Sequence, residues 1–369
     1  MIINSSEVKN MKKKAPKYVQ LAGLIKEKIS EEGLERGQKF YTEQSLSQMY
    51  SLSRQTVRKA INLLINEQIL ESRQGSGTYI SSPTHIKRRS SKVIGVIVTY
   101  FDEYIFPSII NGIESVISSN GYNMQLACTR NDVENEARAL RSMLDAEVDA
   151  FIIEPTKSAL PNANKDLYDE ISKKNIPLLF LNSYYHEMNF PYVALNDEKA
   201  GYLATKFLID NGHRKIALCL KSDDIQGHLR YKGAITAAND SDITISVENV
   251  FWYTTEDIKY LEEDSNRIIR YLKNCTALFC YNDQIATKVI KILNDKNFNL
   301  PEDCSIISID DEKHAVACSP SLTTIAHPKE LLGIEISKAI IRLLSGEKCD
   351  NSILFEPELV VRNSVKKIL

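Results

Sequence analysis

From Val93 onward the chain alternates short apolar runs with longer amphipathic stretches, and this rhythm constrains its fold more than any other feature. VIGVIV is followed by a helical stretch over 107–119, MQLAC by one over 134–144, AFIIE by one over 167–174, and LLFLN and YVALN by one over 197–211. The pattern resumes with KIALCL, a helix near Tyr231, the strand VFWY, a helix over 264–272, ALFCY, a helix over 284–296 and SIISID. Uninterrupted apolar runs between helices read as strands buried on both faces, which parallel, doubly wound sheets require. The strands are too many for one sheet of ordinary size, so an α/β body of two lobes with a cleft between them is expected.

The region before it has a different texture. Leu46, Met49 and Tyr50 lie at i, i+3 and i+4, and Val57, Ala60, Ile61 and Leu64 repeat the spacing after a short break, so two short amphipathic helices meet at a tight turn. Ser53 is placed to cap the second of them. With the apolar stripe inward, Arg54 and Arg58 share one outward edge, and Gln55, Lys59 and Asn62 the next. Guanidinium and amide forks on an exposed helix edge match base edges in the major groove. A plain solvated face is the alternative for two arginines taken alone. Gln74, Gly75, Ser76, Gly77 and Thr78 then sit between β-branched and apolar residues, which is hairpin chemistry. Two helices, a tight turn and a hairpin make a winged helix-turn-helix. Tyr18, Leu21, Ile25 and Ile29 mark an earlier helix that ends near Gly33.

Charge separates the two regions. Residues 1–91 carry 16 Lys and Arg against 8 Asp and Glu, and the remainder 30 against 40, so a formal net charge of −2 hides a head at +8 and a body at −10. A small basic domain on a large acidic one fits a nucleic-acid-binding end and a separate sensing end. The expected organisation is a mobile tail over 1–14, a winged-helix head over 15–81, a polar linker over 82–91 and the two-lobed body over 92–369. Lys87, Arg88 and Arg89 in the linker are read as solvated, with phosphate contact as the alternative. No apolar core follows Lys12, Lys13 and Lys14, and no run approaches the roughly 20 residues that span a bilayer, so a cytoplasmic protein with no membrane partner is expected. The seven cysteines, an odd number, are expected to be reduced, and Cys275 and Cys280 lack the spacing of a zinc pair.

SRQTVRKAINLL and QGSGTYI, with a first helix opening at PKYVQL, resemble the GntR-type winged-helix domain over roughly residues 14–82. Phe40 and Tyr41 stand where that family usually has leucine and proline, which implies a different approach to the second helix. The resemblance implies DNA contacts at Lys17, Arg54, Arg58, Gln74 and Gly75, with Lys17 and Thr56 on phosphates, the arginines in the major groove and Gln74 with Gly75 at the wing tip. Glu43 resembles a position that fixes the arginines; a carboxylate stabilising its own helix dipole accounts for it equally well.

The elements VIGVIV, DNGHRKIALC, YNDQIA, PEDCSIISIDD, SLTTI and ILFEPELVVRNS resemble the sensing domain of LacI/GalR-type regulators, itself similar to periplasmic sugar-binding proteins. That resemblance implies three crossings between lobes, here near Leu195, Tyr281 and Thr323. The two halves together, with TYFDEYIFPSII, EPTKSAL, DDIQG and FEPEL, resemble the arabinose-responsive repressors of Gram-positive bacteria over nearly the whole chain. They imply a homodimer on a palindromic double-stranded operator, released by a sugar effector such as L-arabinose, with no cofactor.

Ligands of α/β sheets sit beyond the carboxyl ends of strands, and a sugar needs charged or amide groups and an aromatic wall. That rule selects Tyr100, Asp102, Tyr104 and Phe106 after the first strand, Glu154 and Lys157 after the third, and Asn182 after the fourth. In the second lobe it selects Trp252 or Phe251, Asn282 with Asp283, and Asp310, and Arg230 joins them; Arg230 and Asp310 match effector-holding positions of the resembled family. Lys157 has an alternative as the partner of Glu154, Trp252 as core, and Asp283 as a helix cap. An enzymatic body, such as the aminotransferase-like one that also occurs behind GntR heads, finds no phosphate-cradling glycine loop and no nucleophile elbow here. A transport binding protein would have no use for the head.

Overall fold

In a computed structural model the chain forms two units, Met1–Arg89 and Ser90–Leu369. The structure describes residues 16–34, 37–67, 69–73, 76–81, 90–102, 104–261, 263, 265–347 and 352–368. The expected tail, most of the linker and the wing-tip pair Gln74 and Gly75 lie outside the described residues.

The first unit contains α1 (Lys17–Glu31), α2 (Glu43–Tyr50), α3 (Arg54–Asn66) and a hairpin of β1 (Leu70–Arg73) and β2 (Gly77–Ile80), paired from Leu70↔Ile80 to Arg73↔Gly77. Thr42 and Ser53 cap α2 and α3, each accepting a backbone N–H from three residues on. Leu21, Ile25, Leu46, Val57, Ala60, Leu64, Leu70 and Ile80 form the core. Met49, one of the apolar stripe read from the sequence, is 46% exposed, because an eight-residue helix has one core-facing turn and Leu46 occupies it. Phe40 is buried in that core, and the Tyr41 hydroxyl donates to Glu32 at 2.8 Å. The unusual pair therefore fills space rather than disrupting α2.

The second unit opens on Ser90 and Ser91, which sequence composition assigns to the linker. Ser91 N and Lys92 N both donate to the Asp149 carboxylate at 3.0 Å, so these residues belong to the body. Then follow β3 (Val93–Val98), α4 (Phe106–Ser119), β4 (Asn123–Cys128), α5 (Val133–Asp145), β5 (Ala150–Ile153), α6 (Lys165–Lys173), β6 (Leu178–Leu181) and β7 (Tyr192–Leu195). The second half runs α7 (Asp197–Asp210), β8 (Ile216–Lys221), α8 (Ile225–Asn239), β9 (Val250–Tyr253), α9 (Ser265–Tyr271), β10 (Ala277–Cys280), α10 (Asp283–Asp295), β11 (Ser305–Asp310), α11 (Lys313–Ala317) and β12 (Thr323–Ala326). It closes with α12 (Lys329–Leu344), β13 (Ile353–Phe355) and β14 (Glu358–Val360).

Two six-stranded sheets result, ordered β13-β7-β6-β5-β3-β4 and β14-β12-β11-β10-β8-β9. Every pair is parallel except β12 with β14. Alternation along each strand serves both faces: Ile94, Val96 and Val98 pack with α4 and α12, while Ile97 packs with α5 and α6.

The chain crosses between lobes after Leu195, between β12 and α12, and between β13 and β14. The crossing expected near Tyr281 does not occur, because β10 lies inside the second sheet between β8 and β11 and leads directly into α10 of the same lobe. The third crossing is in FEPEL, which pattern reading treats as one closing element; Asn196 N donates to Phe355 O at 2.9 Å and ties it to the first.

Each lobe has one helix pair in backbone contact. A Cβ at Gly233 of α8 would fall 1.9 Å from Glu198 O, and one at Gly201 of α7 would fall 2.1 Å from Arg230 O. Only glycine lets these backbones approach, and the approach sets Arg230 against Asp197. Among the described residues, no helix is long and apolar enough to cross a membrane.

Candidate functional site

In the head, the Arg58 guanidinium makes a two-pronged pair with Glu43, Nε and Nη2 each donating at 2.9 Å. That bond foremost holds the Glu43 carboxyl below its ordinary range; burial opposes it, and the nearby positive charges of Arg58 and Arg54 add smaller contributions in the same direction as the bond. Glu43 therefore orients α3's arginine as well as sitting in the first turn of α2. Lys17, Tyr18, Gln55, Thr56 and Lys59 line a small cationic pit where the starts of α1 and α3 meet. Lys17 and Thr56 are thus brought together, as a shared phosphate contact requires. Tyr18, Gln55 and Lys59 complete the pit. At the wing, the Arg73 guanidinium lies 4.2 Å from the Tyr79 ring centroid, beside the tip.

In the body, a cavity opens between the lobes at the carboxyl ends of both sheets. Of the effector candidates, Tyr100, Tyr104, Phe106, Glu154, Asn182, Arg230, Asn282 and Asp310 line it. Glu154 is buried and accepts from Thr99 N at 2.9 Å, Thr99 Oγ1 at 2.5 Å and Asn182 Nδ2 at 2.9 Å; burial nevertheless pushes its carboxyl up. On the other wall, Arg230 Nε and Nη2 reach Asp197 Oδ1 at 2.8 and 2.7 Å, and Nη1 donates to Tyr281 O at 2.5 Å. Burial opposes the Arg230 charge, but Asp197 foremost outweighs it, and burial in turn raises the Asp197 carboxyl to about 6. Asp310 has φ +115°, a conformation rare for a side-chain-bearing residue, and its carboxylate accepts from the Tyr104 hydroxyl across the cleft. Carboxylates, a guanidinium, amides and tyrosine faces converging on one concave space are polyol-binding chemistry.

Four candidates do not line the cavity. Asp102 is exposed on the β3–α4 loop. Lys157 pairs with Glu256 at 2.6 Å, not with Glu154. Trp252 stacks on His228, with centroids 5.0 Å apart, and meets Tyr231 at a tilt; strand parity turns its neighbour Tyr253 into the cavity instead. Asp283 lies behind the wall, accepting from Ser308 Oγ, Thr324 Oγ1 at 2.8 Å and Glu312 N at 2.7 Å, and burial raises it to about 7. The cap of α10 is Asn282, which accepts from Ile285 N at 3.0 Å.

Sequence reading also misses Lys221, Asp224, Gln226, Tyr253 and Tyr281, all cavity-lining. The same rule, applied to the end of KIALCL, points directly at Lys221 and Asp224. The Lys221 ammonium is held by Asp224 at 2.7 Å; burial works against its charge, but Asp224 and Asp223 overcome this and raise it.

A relay runs from the cavity to a lobe crossing. Asn182, whose Nδ2 serves Glu154, accepts at Oδ1 from His327 Nε2 at 2.8 Å, and His327 follows β12. Burial depresses the His327 ring to about 4, so it is neutral at pH 7. Its unfolded value lies higher, so this group's stabilising effect is present above the unfolded value and is lost as pH falls toward 4. Asp283, raised when folded, works in the opposite direction over the same range. Wild type alone therefore masks the effect. Between pH 7 and pH 5, His327→Gln is expected to gain about 2 kcal/mol on wild type in urea denaturation. A difference between the two proteins that does not change with pH would contradict this protonation state.

Comparison with known proteins follows the same division. Residues 17–80 match bacterial regulatory proteins of the gntR family, and residues 205–365 match the periplasmic binding protein-like domain. The chain is 39% identical to the arabinose metabolism transcriptional repressor of Halalkalibacterium halodurans, over 94% of this chain and 96% of that protein. It is 37% identical to the arabinose metabolism transcriptional repressor of Geobacillus stearothermophilus, over 97% and 100%. Among solved structures, a LacI family transcriptional regulator from Enterococcus faecium with bound ribose is 25% identical with a TM-score of 0.63, covering 75% of this chain and all of that one. With a gntR-type head, a two-lobed sensing body and relatives that match both from end to end, the chain belongs to the family of arabinose metabolism transcriptional repressors.

Proposed function

We propose that the protein binds a palindromic operator as a homodimer, in the cytoplasm, and releases it when L-arabinose occupies the cavity between the lobes. The observation that carries this reading is the cavity wall: Glu154, Asp310 and Arg230 offer charged hydrogen-bonding groups from both lobes to one small polar molecule. The cavity measures about 80 Å³, against the roughly 10 to 15 Å³ that one water needs on such a measure. That favours a single sugar ring over an oligosaccharide. Contacts from both lobes make binding favour the closed cleft, and a coupling of about 1 to 3 kcal/mol changes operator affinity about 5- to 150-fold. The protein is read as a binder and not an enzyme, because the proteins it resembles over nearly its whole length are transcriptional repressors. Two copies of α3 in a two-fold dimer match two half-sites of a palindrome.

The test is operator binding by fluorescence anisotropy at fixed salt, with millimolar L-arabinose set against ribose, xylose and hexoses. Release by L-arabinose alone is the expected result. Release by ribose alone would reassign the effector within the pentoses, and operator binding that no sugar reverses would reject the cavity as a sugar site.

A further inference from the structure

Beside the cavity, two loops of the first lobe meet two loops of the second. Asn131, between β4 and α5, donates from Nδ2 to Thr255 Oγ1 at 2.7 Å and to Asp224 Oδ1 at 3.2 Å. Lys157, between β5 and α6, pairs with Glu256 at 2.6 Å. Next to it, Ile225 N donates to Ser158 Oγ at 3.0 Å, and Ala159 N donates to Asp223 O at 3.2 Å. Thr255, Glu256, Asp223, Asp224 and Ile225 all belong to the second lobe.

The geometry of the first-lobe side is demanding. Asn131 and Lys157 hold φ of +55° and +48°, a region that side-chain-bearing residues seldom occupy and that needs support from its surroundings. Asn131 supplies that support: it is 2% exposed, and its Oδ1 accepts from Lys157 N at 2.8 Å while its two N–H groups cross to the other lobe. An aspartate of the same shape has no N–H to offer and would face Asp224 with a like charge.

The second-lobe side leads into the cavity. Asp224 takes Asn131 on Oδ1, and on Oδ2 it takes Lys221 Nζ at 2.7 Å and the Tyr281 hydroxyl at 3.4 Å. Lys221, Asp224 and Tyr281 line the cavity, whereas Asn131, Lys157 and Glu256 do not. A molecule that orders the cavity wall thus orders the carboxylate on which the bridging contact depends.

We propose that Asn131 and Lys157, set against Asp224, Thr255 and Glu256, form a latch that holds the lobes closed over the effector and so sets the effector concentration at which operator is released. The inference rests on the reading of the cavity as the effector site. Because the latch acts on closure and not on sugar contacts, weakening it lowers affinity for every sugar that fits by the same factor and leaves the preference among sugars unchanged.

The full-length protein and a charge-swap cycle test this. Lys157→Glu faces Glu256 with a like charge, Glu256→Lys faces Lys157 likewise, and the double variant restores an opposite pair in reverse. Each single variant is expected to weaken L-arabinose binding in calorimetry by about 3- to 10-fold and to shift the midpoint of operator release by the same factor. The double variant should return to within about 2-fold of wild type, and Asn131→Asp should lose at least as much as either single charge reversal. Hydrogen exchange gives a readout that needs no sugar: the amides of Ala159 and Ile225, bonded across the lobes, should exchange faster in Lys157→Glu and recover in the double variant. Single variants that bind and exchange as wild type would overturn the latch, as would a double variant no better than the singles. If the wild-type chain binds no pentose, the effector reading fails by itself, and the exchange of Ala159 and Ile225 still decides the latch in either direction.

Discussion

Arg230→Ala is expected to destabilise the body by about 3 to 5 kcal/mol as well as to abolish the response to sugar. Arg230 and Asp197 are each about 2% exposed in their side chains, and the pair lies where α7 and α8 are in backbone contact. Removing the guanidinium leaves the Asp197 carboxylate buried with its ion-pair partner gone, and such a charge costs far more than the lost pair itself contributes. The carboxyl, already raised to about 6, would rise further. A folded value above the unfolded one means that the folded state prefers the protonated form, so the deficit should shrink at low pH and grow as pH rises through that range. Urea denaturation of the variant at pH 5 and pH 8 measures this. Adding Asp197→Asn should recover a good part of the stability without restoring sugar binding. Wild-type sugar affinity in that double variant would make Arg230 a strut between helices and remove it from the site.

Arg54→Ala should weaken operator binding by about 2 to 6 kcal/mol, taking about 1 to 3 kcal/mol for each of two half-sites, while sugar affinity stays at the wild-type value. The basis is placement: Arg54 opens α3, directly after the Ser53 cap and one turn ahead of Arg58, which Glu43 holds in a two-pronged pair. Anisotropy at several salt concentrations separates roles within the head. A base-reading arginine lowers affinity for the operator more than for random DNA, whereas Lys17→Ala should weaken both alike and reduce the salt slope by about two, one for each half-site. Equal losses on operator and random DNA for Arg54→Ala would place that residue on a phosphate.

Lys221 and Tyr253 show why part of the cavity escapes pattern reading. Both end strands at the cavity, as the strand-end rule demands, yet Lys221 closes an apolar run and looks like the first residue of a loop, and Tyr253 stands beside the more conspicuous Trp252. In a strand, a one-residue change of parity moves a side chain to the opposite face, and nothing in VFWY says which aromatic faces the cleft. Lys157 fails for another reason. Its position after β5 is right, but its partner is Glu256, on a loop of the other lobe, and a pairing over such a separation has no local signature.

What the sequence determined by itself is what depends on neighbours along the chain: the helices and strands, through apolar spacing and capping residues such as Thr42 and Ser53; the basic head and acidic body; and the strand ends where a ligand must sit. What only the tertiary structure decided is which of those ends face one another. The lobe crossing in FEPEL, the Asp197–Arg230 pair permitted by Gly201 and Gly233, the relay from Glu154 to His327 and the bridge from Asn131 to Thr255 join residues far apart in the chain. Local propensity acts over a few bonds, whereas such contacts are selected by the packing of whole layers, so they exist only once the two sheets and their helices have closed on one another.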